Sequence, residues 1–555
     1  MKRNVFKKVS CLGLSLCMMA AGLTGCGKGS GSQAKADENQ TDFLIVGGMS
    51  VLSSGNDSNP VLQQLAENAG VEIEWDLMSD SLGEKVGVLI GGDQLPDAFI
   101  AVNFSMNDIN EYGADGTFID LTEYITPEVM PNLSTILEEH PDIKSAITMA
   151  DGKIYGLPSA DMLRTGAVSD EYDYSIYSVP EFSMINKKWL DDLGLDVPTN
   201  LTELHDALVA FRDNDMAAKI YGNTQGTIPM STGFDQWCWG QEIFYSGFGF
   251  TNFTSDICAD LLVDASGNTY FASTTDAYRD AVSYFHDWYA EGLMDLEMFS
   301  QSTNQLIAKA SAGRVGVTVW WEKEEILGEY AEDYVFLPPL DGPVGTEYEG
   351  SHNVDIRAGT DGVSSGNLNI TRACGNPELL LKYFDQWYDG ETVMQLQYGP
   401  IDVYFTEKDE NGVWMSITDE EAQSKFNHSA GELKGLYEVY GPRLVLPEYY
   451  NNVFYMEDRA TQRLEYLVND WLPYVENKNF FPSDATFTND ELDTISRYKA
   501  DFVSQVAEYE GTWIKNGGPT DDEWNAYLQM LKDSCGMERL LAVYQDAYNR
   551  YTSAD

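Results

Sequence analysis

Apolar and polar positions along this chain follow two periods in turn. Phe43-Leu44-Ile45-Val46 is a continuous apolar run, the pattern of a parallel strand covered on both faces. Val71, Ile73 and Trp75 instead alternate with Glu72 and Glu74, which predicts a half-buried strand. Residues 60–68 between them read as a helix, completing a strand–helix–strand unit. A second helix is predicted over 82–90 and a third strand over 95–100. Ligands lie beyond the carboxyl ends of strands in open parallel sheets, which points to the loops after Val46 and Ile100, the latter containing Asn103 and Phe104.

The helical period then returns repeatedly. Asn200 stands three residues before Glu203, a capping signature, and Leu201, Leu204, Leu208 and Phe211 share one face. Val263-Asp264 and Thr269-Tyr270-Phe271 flank Ala265-Ser266-Gly267-Asn268, predicting a hairpin. A helix is expected over 276–291, closed by Gly292. Residues 313–321 form a β-branched run ending in Trp320 and Trp321, and 361–370 should be a returning strand. Asn376-Pro377-Glu378 opens a helix. From about Gly431 the pattern reads as mostly amphipathic helix, clearest at the end. There Thr520 and Glu523 form a capping box, Trp524, Tyr527, Leu528 and Leu531 make a stripe, and Gly536 breaks it. Trp189, Trp288, Trp387 and Trp524 lie on helical stripes and read as core.

A length of 555 residues predicts two or more domains. The balance of 34 basic against 89 acidic residues gives a net charge of −55, a surface that repels phosphate backbones and argues against nucleic acid as a partner. The first residues carry Lys2, Arg3, Lys7 and Lys8, then an apolar run from about Val9 to Leu23. That is a secretory signal over residues 1–25, too short and wrongly flanked for a stable membrane span. Leu23-Thr24-Gly25-Cys26 looks like a lipobox, in which Cys26 would be acylated and hold the protein on a membrane. Residues 26–41 are Gly/Ser-rich and polar, a flexible tether. Cys238, Cys258, Cys374 and Cys535 form no disulfide framework or zinc spacing, although one bridge such as Cys238–Cys258 is open to an exported protein.

Asp151-Gly152-Lys153-Ile154-Tyr155-Gly156-Leu157-Pro158 is a tight turn feeding a short extended segment. This phrase resembles the one that family 1 extracellular solute-binding proteins of bacterial ABC importers carry where the chain first crosses between their lobes. Further blocks resembling the family follow its order. They are residues 91–99 (Gly-Gly-Asp-Gln-Leu-Pro-Asp-Ala-Phe), 117–125, 184–195, Trp524-Asn525-Ala526-Tyr527, and 544–551. The resemblance covers nearly the whole chain and implies an α/β, two-lobe periplasmic-binding-protein-like (type II) fold with hinge crossings and a helical C-terminal region. Lobe 1 is expected over 42–158 plus about 355–430, and lobe 2 over 159–354 plus about 431–555. The long subgroup it looks most like includes importers of oligosaccharides, some containing uronates. Relatives there often carry a calcium loop of the Asp-x-Asn-x-Asn-Gly type after the helix that ends near Phe211. Here that place reads Asp213-Asn214-Asp215-Met216-Ala217-Ala218-Lys219, with Thr227-Ile228-Pro229 later, too few oxygens for a calcium shell. No bound metal and no cofactor are expected.

A sugar ring offers an apolar C–H face and a hydroxyl rim, so its site needs flat aromatic platforms with polar groups at their edges. Trp320 and Trp321 end a strand and Trp237 and Trp239 sit in a Gly-flanked stretch. The resemblance to maltose-binding relatives implies that both regions supply aromatics to the cleft. Adjacent strand residues face opposite ways, so one of Trp320 and Trp321 is expected in the core. Asn103, Tyr155, Asp235 and Glu322 are edge candidates, and Arg164 has the fork to pair a uronate carboxylate, while the net negative charge favours a neutral ligand. With five histidines, no His-Glu-x-x-His and no Gly-x-Ser-x-Gly, metalloprotease and α/β-hydrolase chemistry lack their residues. The expectation is a lipid-anchored, monomeric, non-enzymatic subunit that captures a carbohydrate and delivers it to an ABC permease. A tethered glycoside hydrolase, or a binding protein for a non-sugar solute such as a peptide, are the alternatives.

Overall fold

The structure, a computed structural model, describes residues 37–554 apart from 38, 51, 150, 180, 234–239, 251–260, 355–361, 477–480, 483–484 and 486. Two four-stranded sheets organise it. In the first, Asp42–Gly48 runs parallel to Glu72–Met78 on one side and to Ala98–Ile100 on the other, and Leu368–Ile370 closes the edge antiparallel. The central position of Asp42–Gly48 explains its apolar run: Phe43, Ile45 and Val46 are buried, whereas the edge strand leaves Glu72 and Glu74 exposed. The connecting helix Pro60–Ala69 starts where Asn59 accepts from the N–H groups of Val61 and Leu62, and ends at Gly70 in the left-handed region.

The second sheet has the order Tyr334–Phe336, Phe182–Asn186, Val315–Trp320, Ile228–Met230. Val315–Trp320 and Ile228–Met230 are parallel, while Phe182–Asn186 pairs antiparallel, with Phe182 opposite Trp320. All residues of Phe182–Asn186 and Val315–Trp320 are buried, as strands covered on both faces must be. In each sheet the carboxyl ends of the parallel strands therefore lie at the end where the antiparallel strand enters. Gly48, Ala101 and residues 364–367 meet in one lobe, and Ser231, Trp321 and Glu181 lie at that end in the other.

Between the sheets the chain is zipped to itself. The Leu157 N–H donates to Leu368 O at 3.0 Å, Ser159 and Ser364 exchange both backbone bonds, and Ala160 and Met162 donate to Arg443 and Val445. Ala160–Asp161 thus pairs parallel with Leu444–Val445. Gly156 is required here: a Cβ on it would lie 1.8 Å from Ser365 O and 2.6 Å from Asn369 Nδ2. Asn369, fully buried, donates from that nitrogen to Tyr155 O at 3.0 Å, stitching the same two segments.

Buried side chains form a core that joins 43–162 to 368–446, and another that joins 179–354 to 466–547. A third, smaller core holds Leu163 and Ile176 with residues from Val393 to Leu464. Residues 431–464 therefore pack beside the first lobe, and only the chain after them joins the second, later than the boundary expected near 431. The short strand Leu444–Val445 lies within the region that reads as helix, because its extended form comes from pairing at the crossing and two residues show no period. The returning strand is likewise only Leu368–Ile370. Helices Asn489–Asn516, Asp521–Asp533 and Met537–Ala554 cover the second lobe, the first two opened by the capping boxes Thr488/Glu491 and Thr520/Glu523. Cys374 and Cys535 are buried and free; Cys26, Cys238 and Cys258 lie outside the described residues.

Replacing Gly156 with Ala should destabilise the protein by more than about 2 kcal/mol, because the Ser365 backbone must move and strain the adjoining ladder. Thermal melting checks this; an unchanged Tm would mean that the contact is not a constraint.

Candidate ligand site

The carboxyl end of Val315–Trp320 sorts its two tryptophans. Trp320 is inside, 1 % exposed, with its indole N–H donated to Glu325 Oε2 at 3.0 Å. Of the pair it is the one in the core. Trp321, one residue past the strand end, packs against the same buried cluster and stays partly exposed. Glu322 follows, mostly buried and ion-paired at 3.3 Å with Arg459. Trp237, Trp239 and Asp235 lie outside the described residues, but the base of their loop is firmly held. Ser231 and Thr232 are fully buried. Asp295 accepts from Ser231 Oγ and Lys309 Nζ, both at 2.7 Å, and Gln301 Nε2 donates to Ser231 Oγ and Thr232 O.

In the first lobe Asn103 is exposed at φ 59°, two residues after Ala101 at φ 52°. The left-handed region strains a non-glycine residue by about 1 kcal/mol, more for Ala than for Asn, and such strain gathers at ligand sites. Neighbouring glycines hold the loop there: a Cβ on Gly47 would meet Ile100 O at 2.0 Å, and one on Gly366 would meet Phe104 O at 2.3 Å.

Two candidates sit elsewhere. Tyr155 is 3 % exposed, its ring against Gly113 in a core with Val46, Phe99 and Phe118, and its hydroxyl donates to Asp151 at 2.7 Å. Apolar packing at the turn buries this ring. Arg164 donates from Nε to Asp173 Oδ1 and from Nη2 to Asp173 O, both at 2.6 Å, and folds residues 164–175 on themselves. Its fork is engaged by a carboxylate of this chain.

The cluster that meets Glu322 has no signature in the sequence. It comes from helix Asp458–Tyr466 and from the crossing segment before Phe182. Arg459 pairs with both Glu322 and Glu457, and Glu457 accepts from the Tyr404 hydroxyl at 2.7 Å. Arg463 lies over the Phe182 ring at 5.5 Å and donates to the carbonyls of Ile176 and Val179, tying two crossings together. Loss of hydration pushes the Glu322 carboxyl up to about 7, helped by the proton it shares with Glu324 and opposed by Arg459. Glu324 moves down because it accepts from Glu322. An i, i+2 pair on a strand end and an arginine 137 positions away carry no joint signal in the sequence.

The segment that corresponds to the calcium loop is closed by protein groups. After helix Leu201–Asp213, Asp215 Oδ1 accepts from Thr227 N at 3.0 Å and from Thr227 Oγ1 at 2.9 Å, while the Ala217 N–H donates to that hydroxyl oxygen at 2.8 Å. Met216, Ala217 and Ala218 bring no side-chain oxygen, so this donor set does not fit calcium.

Two α/β lobes joined at a zipped crossing, with polar and aromatic groups at the facing strand ends, define a solute-binding protein. Residues 54–388 match the bacterial extracellular solute-binding protein family, and the chain belongs to that family. It is 30 % identical over 498 residues, 88 % of this chain and 87 % of the relative, to the fructooligosaccharide ABC transporter substrate-binding protein FusA of Streptococcus pneumoniae. The solved structure of FusA with kestose superimposes with a TM-score of 0.80 at 29 % identity, covering 93 % of this chain and all of that one. An EF-hand mutant of FusA with fructo-nystose gives 0.78 at 28 %, with the same coverage. No helix among the described residues is long and apolar enough to cross a membrane.

Two measurements probe the polar groups. Calcium added to the chelated protein should leave Tm unchanged, and Thr227→Val should lower stability by about 1–2 kcal/mol with no rescue by calcium; a tight, stabilising calcium site would contradict this. Because the Glu322 pKa is higher folded than unfolded, the native state holds the extra proton between about 4.5 and 7, so this group's contribution is present at low pH and lost as pH rises through about 7. Glu322→Gln should therefore gain Tm over the wild type between pH 5 and 8, by an amount on the order of 1–3 kcal/mol. A difference that does not change with pH would contradict the assignment.

Proposed function

We propose that this chain is the substrate-binding subunit of an ABC importer for oligosaccharides, with fructo-oligosaccharides as the class to test first. The observation that carries this is the similarity to FusA along nearly the full length of both chains. The chemistry of the strand ends supports it. Trp321 offers a partly exposed ring beside Glu322 and Arg459, and Asn103 an exposed amide on the opposite lobe. Flat rings and planar polar groups at their edges are what a pyranose or furanose ring requires.

In this reading the sugar bridges the lobes and its binding energy shifts an open–closed equilibrium, because only the closed form contacts it from both sides. The permease reads that closed form, and no bond in the sugar is made or broken. Acylated Cys26, the 26–41 tether and a monomeric fold keep the protein at the outer face of the membrane, where its strong negative charge repels lipid headgroups and leaves the lobes standing free.

A thermal-shift screen across saccharides, amino acids and peptides should single out fructo-oligosaccharides such as kestose, with affinity measured by calorimetry. Trp321→Ala should weaken that affinity at least about tenfold. A shift with peptides or amino acids but with no saccharide would overturn the proposal.

A further inference from the structure

Among the described residues Tyr177 is one of a handful of large apolar side chains left in solvent, with 53 % of its surface exposed. Its neighbours Ile176, Ser178 and Val179 are all buried. The backbone beneath it is rigidly held. Residues Ile176–Ser178 form a single 3-10 turn, in which Ser175 Oγ accepts from the Tyr177 N–H at 3.2 Å. Arg463 Nη2 then donates to the carbonyls on either side, Ile176 O at 3.4 Å and Val179 O at 3.2 Å. A ring carried on such a base loses little freedom when something stacks on it.

Its place in the fold is the crossing itself. Tyr177 lies five residues before Phe182, which pairs with Trp320, so it enters at the sheet end from which Trp321 and Glu322 leave. Arg463, which holds the turn under Tyr177, lies one helical turn beyond Arg459, the partner of Glu322. Lost hydration raises the pKa of the Tyr177 phenol, and the charge of Asp161, on the paired crossing strand, adds to the rise. More than half of the residue's surface stays open to solvent above this fixed turn.

We infer that Tyr177 is a saccharide-stacking platform on the hinge side of the cleft, with Trp321 and the Glu322–Arg459 pair beside it. The inference rests on the oligosaccharide reading above and adds to it a contact contributed by neither lobe. The apolar face of one sugar ring lies on Tyr177, and the hydroxyls on its rim reach the carboxyl and guanidinium groups across the crossing. Because this platform belongs to the crossing, it is in place before the lobes close and can hold the sugar in the open form.

The test is calorimetric titration of the purified protein with kestose. Tyr177→Ala and Tyr177→Leu, the second keeping apolar bulk over the crossing, should each lose at least about thirtyfold in affinity. Tyr177→Phe and Tyr177→Trp, which keep a flat ring, should lose less than about tenfold. Melting without sugar separates loss of the platform from loss of the fold, and the Leu variant carries the test where Ala unfolds. Wild-type binding of kestose with Ala or Leu variants within about threefold of it would overturn this inference and leave the oligosaccharide reading standing. Wild type that binds no saccharide overturns both.

Discussion

The approach of Gly156 to the Ser365 carbonyl sets the spacing on which the rest of the molecule depends. Without a side chain there, residues 156–162 lie flat against 364–368 on one side and 443–445 on the other, and each neighbour accepts or donates backbone hydrogen bonds. A buried ladder of this kind satisfies the polar groups of chain segments that belong to neither sheet, which would otherwise be costly to leave unpaired. It also fixes where the lobes pivot. The turn that opens the phrase is held by Gly152, at φ 83°, so the chain reverses and enters the ladder in register.

From this seam the two sheets face the same space with the same ends. Both place the carboxyl ends of parallel strands beside an antiparallel strand returning from the crossing, so exposed loops of either lobe gather near the seam. Arg463 links two of the crossings by its carbonyl contacts and Arg459 links the second lobe, through Glu322, to a helix of the third core. A paired charge of this kind is weak support for stability, since desolvation opposes the attraction. Its worth lies in fixing geometry, where groups from three stretches of chain must keep a common arrangement while the lobes move.

The periodicity of the chain made the two long strands and two helices of the first sheet legible to within a few residues, whereas its two three-residue strands came out shorter than expected. Asn200 and Thr520 hold the cap positions that their spacing indicates. Trp189, Trp288, Trp387 and Trp524 are buried, as their helical stripes require. The candidate site was legible only in part. Alternation could say that one of Trp320 and Trp321 turns inward but not which, since that depends on which face of the second sheet carries the core. Tyr155 stood in a phrase belonging to the crossing, and its own packing against Gly113 has no sequence signature. Arg459, Arg463 and Tyr177 carry no signal in the chain alone: their long-range partners lie more than a hundred positions away.

The central claim is that two lobes hinge on the zipped crossing and close on an oligosaccharide. Small-angle X-ray scattering of the purified protein with and without saturating kestose tests it most directly. The account predicts a smaller radius of gyration and a narrower distance distribution with the sugar bound. Identical profiles at a concentration where calorimetry shows the site to be full would contradict it.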